Sequence, residues 1–393
     1  MAAHTALEVG RRVAFYRRLA RMTQCELANA AGLGAGTLQK IERGARGAGD
    51  SVLESIADAL GVEVERLLRD RKGIADYVHA AMPGLHKVLA SYDDPDDGPV
   101  RSLAELREAV AAVVTQRLQS QYVGTMRVGP DLLTELLRAL AIAPADARAE
   151  VARLVVAACR AVDAAAYKSG AVDLSARLVG LMRWAGQQAD DPMTASTVAY
   201  VRAEVHFVSR THEAGLRALE RAIDTVPPPN GIAASAARGS LHMRAAVIAG
   251  RAQQADVAAE HMTLAADLAS QVREGVYDGT AFGPDSVRVH EVSLAVSLGE
   301  GHLQRALDIA RTWAPPRGLP SERRSGFYIE LARAQLWAGR PQDAFECLSL
   351  ARQMAPQHVR EHRWVKEDIG TLRRLRRSPA ETLTSFAEWC GAV

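Results

Sequence analysis

The sequence predicts an all-α protein in which a short helical unit at the N-terminus is followed by a long array of helical hairpins. Almost every segment is rich in Ala, Leu, Arg and Glu, apolar residues recur at spacings of three and four, and alternating β-branched residues are scarce. The stretch TQCELANAAGLGAGTLQKIERG (23–44) carries the start and stop signals of two short helices. Beyond residue 100, a helix, a short break and a second helix alternate repeatedly.

Length and composition set the class of protein. With 393 residues, of which 48% are apolar, the chain is long enough for two or three globular domains. No apolar run approaches the ~20 residues of a membrane helix, and the N-terminus lacks the apolar core of a signal peptide, so we expect a cytoplasmic protein without a membrane partner. The cysteines are far apart and form no CxxC pair, which predicts free thiols and neither a disulfide nor a metal site. They are Cys25, Cys159, Cys347 and Cys390.

The net charge of +2 hides an asymmetry near the N-terminus. Between Glu8 and Arg46 there are eight Arg or Lys residues against three Glu, whereas from Gly47 to Asp70 two Arg residues stand against six acids. A local basic surface on a nearly neutral protein favours a polyanionic partner such as nucleic acid.

Local signals define the helices of the N-terminal unit in order. Thr23 and Glu26 form a T-x-x-E capping box, so a helix begins at Gln24, and Gly32 ends it. After a short turn, a second helix begins near Ala35 and is closed by Gly44. Two short helices joined by a Gly-containing turn form a helix-turn-helix. Amphipathic segments predict further helices over 8–18, 51–60 and 62–68.

The segments TQCELANAAG, TLQKIERG and ESIADALGV together resemble the Xre family of Cro and phage-repressor regulators, over residues 8–68. The resemblance implies a five-helix DNA-binding domain at 1–70, with a double-stranded operator as its partner. By position, Gln24 is expected to bond a DNA phosphate, and Gln39 and Lys40 are expected to meet base edges. Arg17 and Glu42 match an ion pair that ties the first helix to the third, which is a structural role.

The chain departs from this family at Gly34, Ala35 and Gly36, where polar residues are usual. Two explanations remain open. The small residues let the helix approach a thymine methyl closely and leave polar readout to Gln39 and Lys40, or the unit keeps only phosphate affinity or a protein contact. Nearby arginines are candidates for phosphate contacts, and each is equally compatible with a solvated surface charge. The DNA-binding candidates are Gln24, Ala35, Gly36, Thr37, Gln39, Lys40, Arg43, Arg11, Arg12, Arg21 and Arg46.

Residues 71–100 are predicted to form a connecting helix and a linker, because MPG (82–84) and the acidic DDPDDGP (93–99) interrupt the helical pattern. A repeat region is expected over 101–393. Its clearest unit, 325–356, matches the tetratricopeptide pattern, in which small residues lie where two antiparallel helices approach. The matching residues are Tyr328, Ala332, Gly339, Ala344, Ala351 and Pro356.

Weaker copies of the same pattern lie upstream, and stacked copies are expected to share a core and curve into a superhelix with a concave binding surface. Further helical pairs are predicted over 101–142 and 146–188, and an irregular helical bundle is the alternative for 101–190. The weaker copies contain Gly301 and Ala306, then Ala203, Gly215, Ala222 and Pro227, and finally Gly250.

An Xre-like domain followed by such repeats resembles the RRNPP architecture of bacterial quorum-sensing regulators. The resemblance implies that the repeats bind a signalling peptide in a groove and form a homodimer that spaces two DNA-binding domains. The chain has only two asparagines, Asn29 and Asn230, which argues against the asparagine ladder that such receptors use for peptides. A charged peptide, a small molecule and a protein partner all stay open. The groove candidates, each also compatible with a solvated or packing role, are Tyr200, Glu204, Arg244, Arg288, Glu291, Arg333 and Trp337.

The Gly-rich stretch EGVYDGTAFGP (274–284) resembles a segment of bacterial Xre–repeat regulators and is predicted to be a loop before a helix that begins near Asp285. Tyr277 and Phe282 are candidates for a lid over the groove, with His290 one turn inside. Packing between repeats by Phe282 is the alternative.

Two further motifs have ordinary explanations. HVREH (358–362) matches the HxxEH pattern of a metallopeptidase class, but little chain follows for a further ligand, so a charged helix surface and no metal are predicted. RRLRR (373–377) is predicted to be a solvated basic helix end, and a contact with DNA or a nucleotide is the alternative. No phosphate-binding glycine motif or catalytic grouping appears, so we predict neither an enzyme nor a cofactor.

These observations predict a cytoplasmic, sequence-specific DNA-binding transcriptional regulator whose repeats bind a peptide, a small molecule or a partner and form a homodimer. The alternative is a scaffold whose repeats bind a protein while a degenerate helix-turn-helix serves for docking.

Overall fold

The computed structural model describes residues 6–62, 67, 74–375, 381–390 and 392. The chain forms two compact units, Met1–Lys72 and Gly73–Val393. In the described residues, helices make up both units apart from one two-stranded hairpin, so the prediction of an all-α fold is confirmed. No described helix is long and apolar enough to cross a membrane.

The first unit contains four helices whose bounds are described. They are α1 (Ala6–Leu19), α2 (Gln24–Ala30), α3 (Ala35–Glu42) and α4 (Asp50–Leu60). The second unit begins with α5 (Ile74–Ala90), α6 (Leu103–Leu118), α7 (Tyr122–Ile142), α8 (Ala145–Lys168), α9 (Val172–Ala189), α10 (Pro192–Ser209), α11 (His212–Thr225), α12 (Ile232–Arg251) and α13 (Ala255–Ala269). It continues with β1 (Gly275–Tyr277), β2 (Thr280–Phe282), α14 (Pro284–Leu298), α15 (Leu303–Thr312), α16 (Ser321–Trp337), α17 (Pro341–Met354), α18 (Pro356–Glu361), α19 (Arg363–Leu375) and α20 (Glu381–Cys390).

The capping box predicted at the start of α2 is confirmed. The Glu26 amide donates to Thr23 Oγ1 at 3.2 Å, and the Thr23 amide donates to Glu26 Oε2 at 2.6 Å. These bonds satisfy backbone donors that a helix start leaves free. Gly32, at φ +65°, turns the chain towards α3. In contrast, α3 begins after Gly34, which offers no side-chain cap.

The first unit is held by a small apolar core and by a close approach of α1 to α3. A side chain at Gly10 would overlap the carbonyl of Ile41, so only glycine permits this approach. The helix predicted over 62–68 lies largely outside the described residues. Leu67 is described, is buried, and accepts a hydrogen bond on its carbonyl from Arg12 at 2.7 Å. The buried core residues are Val9, Val13, Leu27, Ala28, Ala31, Leu38, Ile41, Leu53, Ile56, Ala57 and Leu67.

The predicted helical pairs of the second unit are present as antiparallel neighbours in sequence. The pair 101–142 is formed by α6 and α7, and the pair 146–188 is formed by α8 and α9. In the clearest unit, α16 packs against α17, and Ala332, Ala344 and Ala351 are buried between helices. Gly339 makes the turn at φ +73°, and Pro356 is the first residue of the next helix.

The segment predicted as a connecting helix and linker packs as part of the second unit from residue 74 onward. Residues 71–73 lie outside the described residues, but α5 buries Ile74 and Leu85 in the core of that unit. MPG does not interrupt α5, since Pro83 lies inside the helix. The acidic stretch 93–99 is non-helical, as predicted, and Arg138 donates to the Asp96 carbonyl at 2.7 Å.

The Gly-rich stretch predicted as a loop is a β-hairpin instead. Its strands are antiparallel, with Gly275 opposite Phe282 and Tyr277 opposite Thr280. The turn residues Asp278 and Gly279 have φ of +45° and +74°. An Asp-Gly pair favours a two-residue hairpin turn with positive φ at both positions, so the signal was present in the sequence.

Candidate functional site

The outward face of α3 carries the residues predicted to meet DNA bases. Ala35, Gly36 and Lys40 are exposed, and Thr37 and Gln39 are half-buried. The opposite face is buried through Leu38, Ile41 and Glu42. Apart from its chain neighbours and the backbone of its own helix, no atom of the described residues lies within 4 Å of where a Cβ on Gly36 would be, so this surface is open.

A hydrogen-bonded ion pair fixes α3 to α1 and α2. Arg17 Nε donates to Glu42 Oε1 at 2.6 Å, and a terminal nitrogen of Arg17 donates to Glu42 Oε2 at 3.0 Å. Arg17 also donates to the Met22 carbonyl at 2.9 Å. The predicted Arg17–Glu42 pair is therefore confirmed. Gln24 also binds this pair, because its amide donates to Glu42 Oε2 at 2.7 Å.

The predicted phosphate contacts divide into two groups in the structure. Arg11, Arg21, Arg43 and Arg46 are exposed, as a surface contact requires. Arg12 is buried, with 8% of its surface exposed, and its bond to the Leu67 carbonyl makes it part of the packing of the unit.

A second candidate site is a cavity of about 170 Å³ within the second unit, called the charged cavity below. Four of the predicted groove residues meet there, namely Tyr200, Glu204, Arg244 and His290. Many of the lining side chains are charged. The cationic ones are Arg117, Arg160, Lys168, Arg244 and Arg323, and the acidic ones are Asp163, Glu204, Glu322 and Glu330.

The other groove candidates lie elsewhere. Arg288 and Glu291 line a separate surface pocket next to α15. Arg333 is buried and donates to Asp368 at 2.8 Å, and Trp337 is 44% exposed.

The predicted aromatic lid is not formed by the residues proposed for it. Phe282 is fully buried and packs against Gly239, where a side chain would overlap the ring. The alternative, packing between helical elements, is therefore correct for Phe282. Tyr277 donates to the Arg273 carbonyl at 2.7 Å and is not among the residues that line the charged cavity. The hairpin still contributes to the cavity wall through Gly279 and Ala281.

Two carboxylates of the charged cavity are ion-paired. Glu322 lies 3.5 Å from Arg117 and 3.7 Å from Lys168. Burial raises the pKa of Glu322, but Lys168 and Arg117 outweigh burial, so this pKa lies below its usual value. Glu204 is paired with Arg244 at 3.3 Å.

Burial shifts the other two carboxyls towards the neutral form. Burial raises the pKa of Asp163 well above its usual value. Burial also raises the pKa of Glu330 to about 7. The His290 ring is neutral at pH 7, since burial and then Arg323 hold its pKa well below the usual value. Consistent with this, His290 Nδ1 donates to the Ser286 carbonyl at 2.9 Å, and its Nε2 accepts from Arg323 at 3.1 Å.

The HxxEH histidines also line this cavity and do not lie on a charged surface as predicted. His358 and His362 both line it, with ring centroids 5.3 Å apart. Ser325 Oγ lies 2.8 Å from His358 Nδ1. Burial holds the pKa of both histidines well below the usual value. No group of three or more His, Cys, Asp or Glu in the described part of the chain is arranged to hold a metal ion.

The remaining sequence motifs have structural roles. All four cysteines are free thiols, of which Cys25 is exposed and the others are buried. Of the basic stretch 373–377, Arg373 donates to the Ala392 carbonyl at 2.9 Å, and residues 376–377 lie outside the described residues.

Residues 8–70 match a known protein family, described as a helix-turn-helix domain. The chain carries a helix-turn-helix domain at its N-terminus. A DNA-binding helix-turn-helix places its second helix in the major groove. The match covers most of α1 and all of α2 to α4, and therefore includes the outward face of α3.

No curated protein matches the whole chain or part of it. Among solved structures, the chain is similar to PlcR of Bacillus thuringiensis in complex with the peptide PapR7 and DNA, at 14% identity, over 67% of this chain and 95% of that chain, with a TM-score of 0.28. It is also similar to the apo form of the competence regulator ComR from Streptococcus vestibularis, at 12% identity, over 99% of both chains, with a TM-score of 0.31. At these identities and scores, neither likeness assigns an activity to this chain.

Proposed function

We propose that this chain is a sequence-specific, DNA-binding transcriptional regulator whose helix-turn-helix domain binds an operator and whose second unit binds a signal in the charged cavity. The observation that carries the proposal is the outward face of α3. It presents Gln39 and Lys40 on a helix whose other face is fixed by the Arg17–Glu42 pair. A positioned helix with polar side chains and flanking exposed arginines is what major-groove recognition requires.

The small residues at the start of α3 shift the expected base contacts along the helix. Ala35 and Gly36 are exposed but offer no side-chain hydrogen bond. Discrimination between base pairs therefore depends on Gln39 and Lys40, one turn further along. A bidentate contact of either type is worth about 1–3 kcal/mol, which corresponds to about 5- to 150-fold in affinity. Arg11, Arg21, Arg43 and Arg46 supply salt-dependent phosphate affinity.

The proposal is tested by binding of the full chain to labelled duplexes from the DNA beside its own gene and to a shuffled duplex of equal length. The double variant Gln39→Ala, Lys40→Ala is expected to lose its preference for the operator and to keep much of its affinity for the shuffled duplex. The control Arg217→Ala removes one positive charge from an exposed position of the second unit and should change neither affinity. Equal loss on both duplexes would contradict base recognition by these residues.

The same measurement separates the regulator from a scaffold. The Gly34–Ala35–Gly36 stretch is the observation that favours a degenerate helix-turn-helix, because it lacks both a side-chain cap and polar readers. A scaffold would bind no duplex, at low salt or with any sequence. We also propose that the regulator is a homodimer. Its two recognition helices would then be spaced about 34–36 Å apart, one turn of DNA, and its operator would be palindromic. Light scattering on the purified protein tests the dimer.

A further inference from the structure

Two arginines of the charged cavity have no carboxylate within ion-pair distance among the described residues. Glu204 and Glu322 are engaged with the other cations, whereas Arg160 and Arg323 form no ion pair with any carboxylate of the described residues. Arg160 is only 7% exposed. Burial lowers the pKa of Arg160 to about 9 although Glu204 and Glu322 attract it from beyond ion-pair distance, so Coulomb attraction offsets only part of the cost of desolvation.

Three arginines converge on one buried phenol. Arg323 donates to Tyr200 Oη at 2.7 Å, and the guanidinium carbons of Arg244 and Arg160 lie 4.0 Å and 5.5 Å from the centroid of its ring. Burial raises the pKa of Tyr200, but Arg244, Arg323 and Arg160 outweigh burial and bring this pKa below its usual value. A buried phenol is easier to ionise than a free one only where the surroundings favour negative charge. The cavity therefore favours an anion.

The contacts that Arg160 and Arg117 do make are with neutral groups of the hairpin turn. Arg160 donates to the Asp278 carbonyl at 2.9 Å, and Arg117 donates to the Gly279 carbonyl. Carbonyls satisfy hydrogen-bond donors but carry no net charge, so the positive charge of Arg160 is compensated only in part, by Glu204 and Glu322 from beyond ion-pair distance. Arg117 Nε is buried and has no hydrogen-bond partner within the described part of the chain.

The volume of the cavity limits the size of its ligand. A cavity of about 170 Å³ holds on the order of ten water molecules. That space fits a molecule of about ten non-hydrogen atoms. Guanidinium groups bind phosphate and carboxylate through paired N–H···O bonds, which gives both charge and shape selectivity.

From this arrangement we infer that the charged cavity binds a small polyanion, a molecule of about this size with at least two phosphate or carboxylate groups, held by Arg160 and Arg323 with Tyr200 as a neutral donor. The inference deepens the proposed signal-binding role of the second unit and rests on it. Because Arg160 also holds the hairpin turn, an anion that recruits this guanidinium competes with the Asp278 carbonyl and changes the packing of the hairpin.

The test is calorimetric titration of the full chain with sodium pyrophosphate and, separately, sodium citrate, at an ionic strength matched with sodium chloride. At least one probe is expected to bind, with a dissociation constant raised at least tenfold in Arg160→Met and in Arg323→Met, since a charge-assisted hydrogen bond contributes that much or more. Tyr200→Phe keeps the ring and removes one donor, and is expected to weaken binding several-fold. The matched control Arg217→Met should bind as the wild type does.

Two results would overturn the inference. One is that neither probe binds more tightly than chloride does. The other is that binding persists unchanged in Arg160→Met and Arg323→Met, which would place the anion on the basic surface of the helix-turn-helix domain. Circular dichroism of each variant shows whether it is folded. If either arginine variant is unfolded, weaker probe binding by Tyr200→Phe tests the site instead.

Duplex binding measured on the same samples keeps this inference separate from the proposed function. If the wild type binds a duplex but neither probe, the polyanion site is refuted and the DNA-binding proposal stands. If the wild type binds a probe through Arg160 but binds no duplex, the polyanion site is supported and the proposed regulatory function is refuted. Hydrogen exchange over residues 275–282 then checks the competition at the hairpin, with faster exchange expected when the probe is bound.

Discussion

Replacing Glu330 with glutamine should change how the stability of the second unit depends on pH. Glu330 lines the charged cavity, and its Oε1 accepts a hydrogen bond from Ser293 Oγ at 3.1 Å. Its Oε2 is buried and has no hydrogen-bond partner among the described residues. Burial raises the pKa of this carboxyl to about 7 from the usual 4.5, although Arg251 and Arg333 oppose the shift and Asp368 adds to it.

The sign follows from proton linkage. The folded state holds the proton up to about pH 7, whereas the unfolded state releases it near pH 4.5. The protonated carboxyl therefore contributes stability that is fully present below pH 4.5 and is lost as the pH rises through 7. One pKa unit corresponds to 1.36 kcal/mol, so the loss reaches about 3 kcal/mol at most. Water that reaches part of the side chain reduces this figure.

Glutamine resembles the protonated acid in shape and does not titrate. The variant Glu330→Gln is therefore expected to match the wild type at pH 5 and to be more stable than it at pH 8, by up to about 3 kcal/mol. Urea unfolding followed by tryptophan fluorescence measures this difference, because all five tryptophans lie beyond residue 180 and report on the second unit alone. Glu346→Gln, which removes an exposed carboxylate from α17, is the matched control.

The reasoning is refuted if the difference in unfolding free energy between wild type and Glu330→Gln stays constant from pH 5 to pH 8. It is also refuted if the difference is largest at pH 5, because an acid whose pKa is raised on folding can only lose stability as the pH rises.

Three further variants test contacts within the first unit or within the second unit. Glu42→Ala should destabilise the helix-turn-helix domain by about 1–3 kcal/mol, because it leaves the half-buried Arg17 without its carboxylate partner. Loss of hydrogen-exchange protection in α2 and α3 would show this effect, and unchanged protection would refute a structural role. Gly239→Ala should lower the free energy of unfolding by about 1–3 kcal/mol, because the new methyl overlaps the Phe282 ring. Unfolding monitored by tryptophan fluorescence measures this loss, and wild-type stability would show that the ring can move. Arg160→Met, without added anion, should be at least as stable as the wild type in the same assay. A loss above about 1 kcal/mol would mean that the hairpin contact outweighs the buried charge.

Much of the local structure was predictable because short-range signals determine it. The start of α2 follows from Thr23 and Glu26, which lie three residues apart and bond each other across the first turn. The Arg17–Glu42 pair was predictable only through the family resemblance, since 25 residues separate its members. The hairpin at 275–282 was missed although Asp278–Gly279 signals it, because the surrounding helical pattern outweighed a two-residue motif.

The sequence by itself determined the helices, their pairing into hairpins and the polar face of α3, because these depend on residue spacing along one or two turns of chain. Only the tertiary structure decided which charges meet. Arg117, Arg160 and Arg323 look like ordinary solvated helix residues in the sequence, and nothing in their spacing relates them. The cavity exists because helices from separate hairpins stack and turn these side chains away from water. There, five cationic side chains outnumber the ion-paired carboxylates Glu204 and Glu322, and the low dielectric strengthens the effect of this net positive charge.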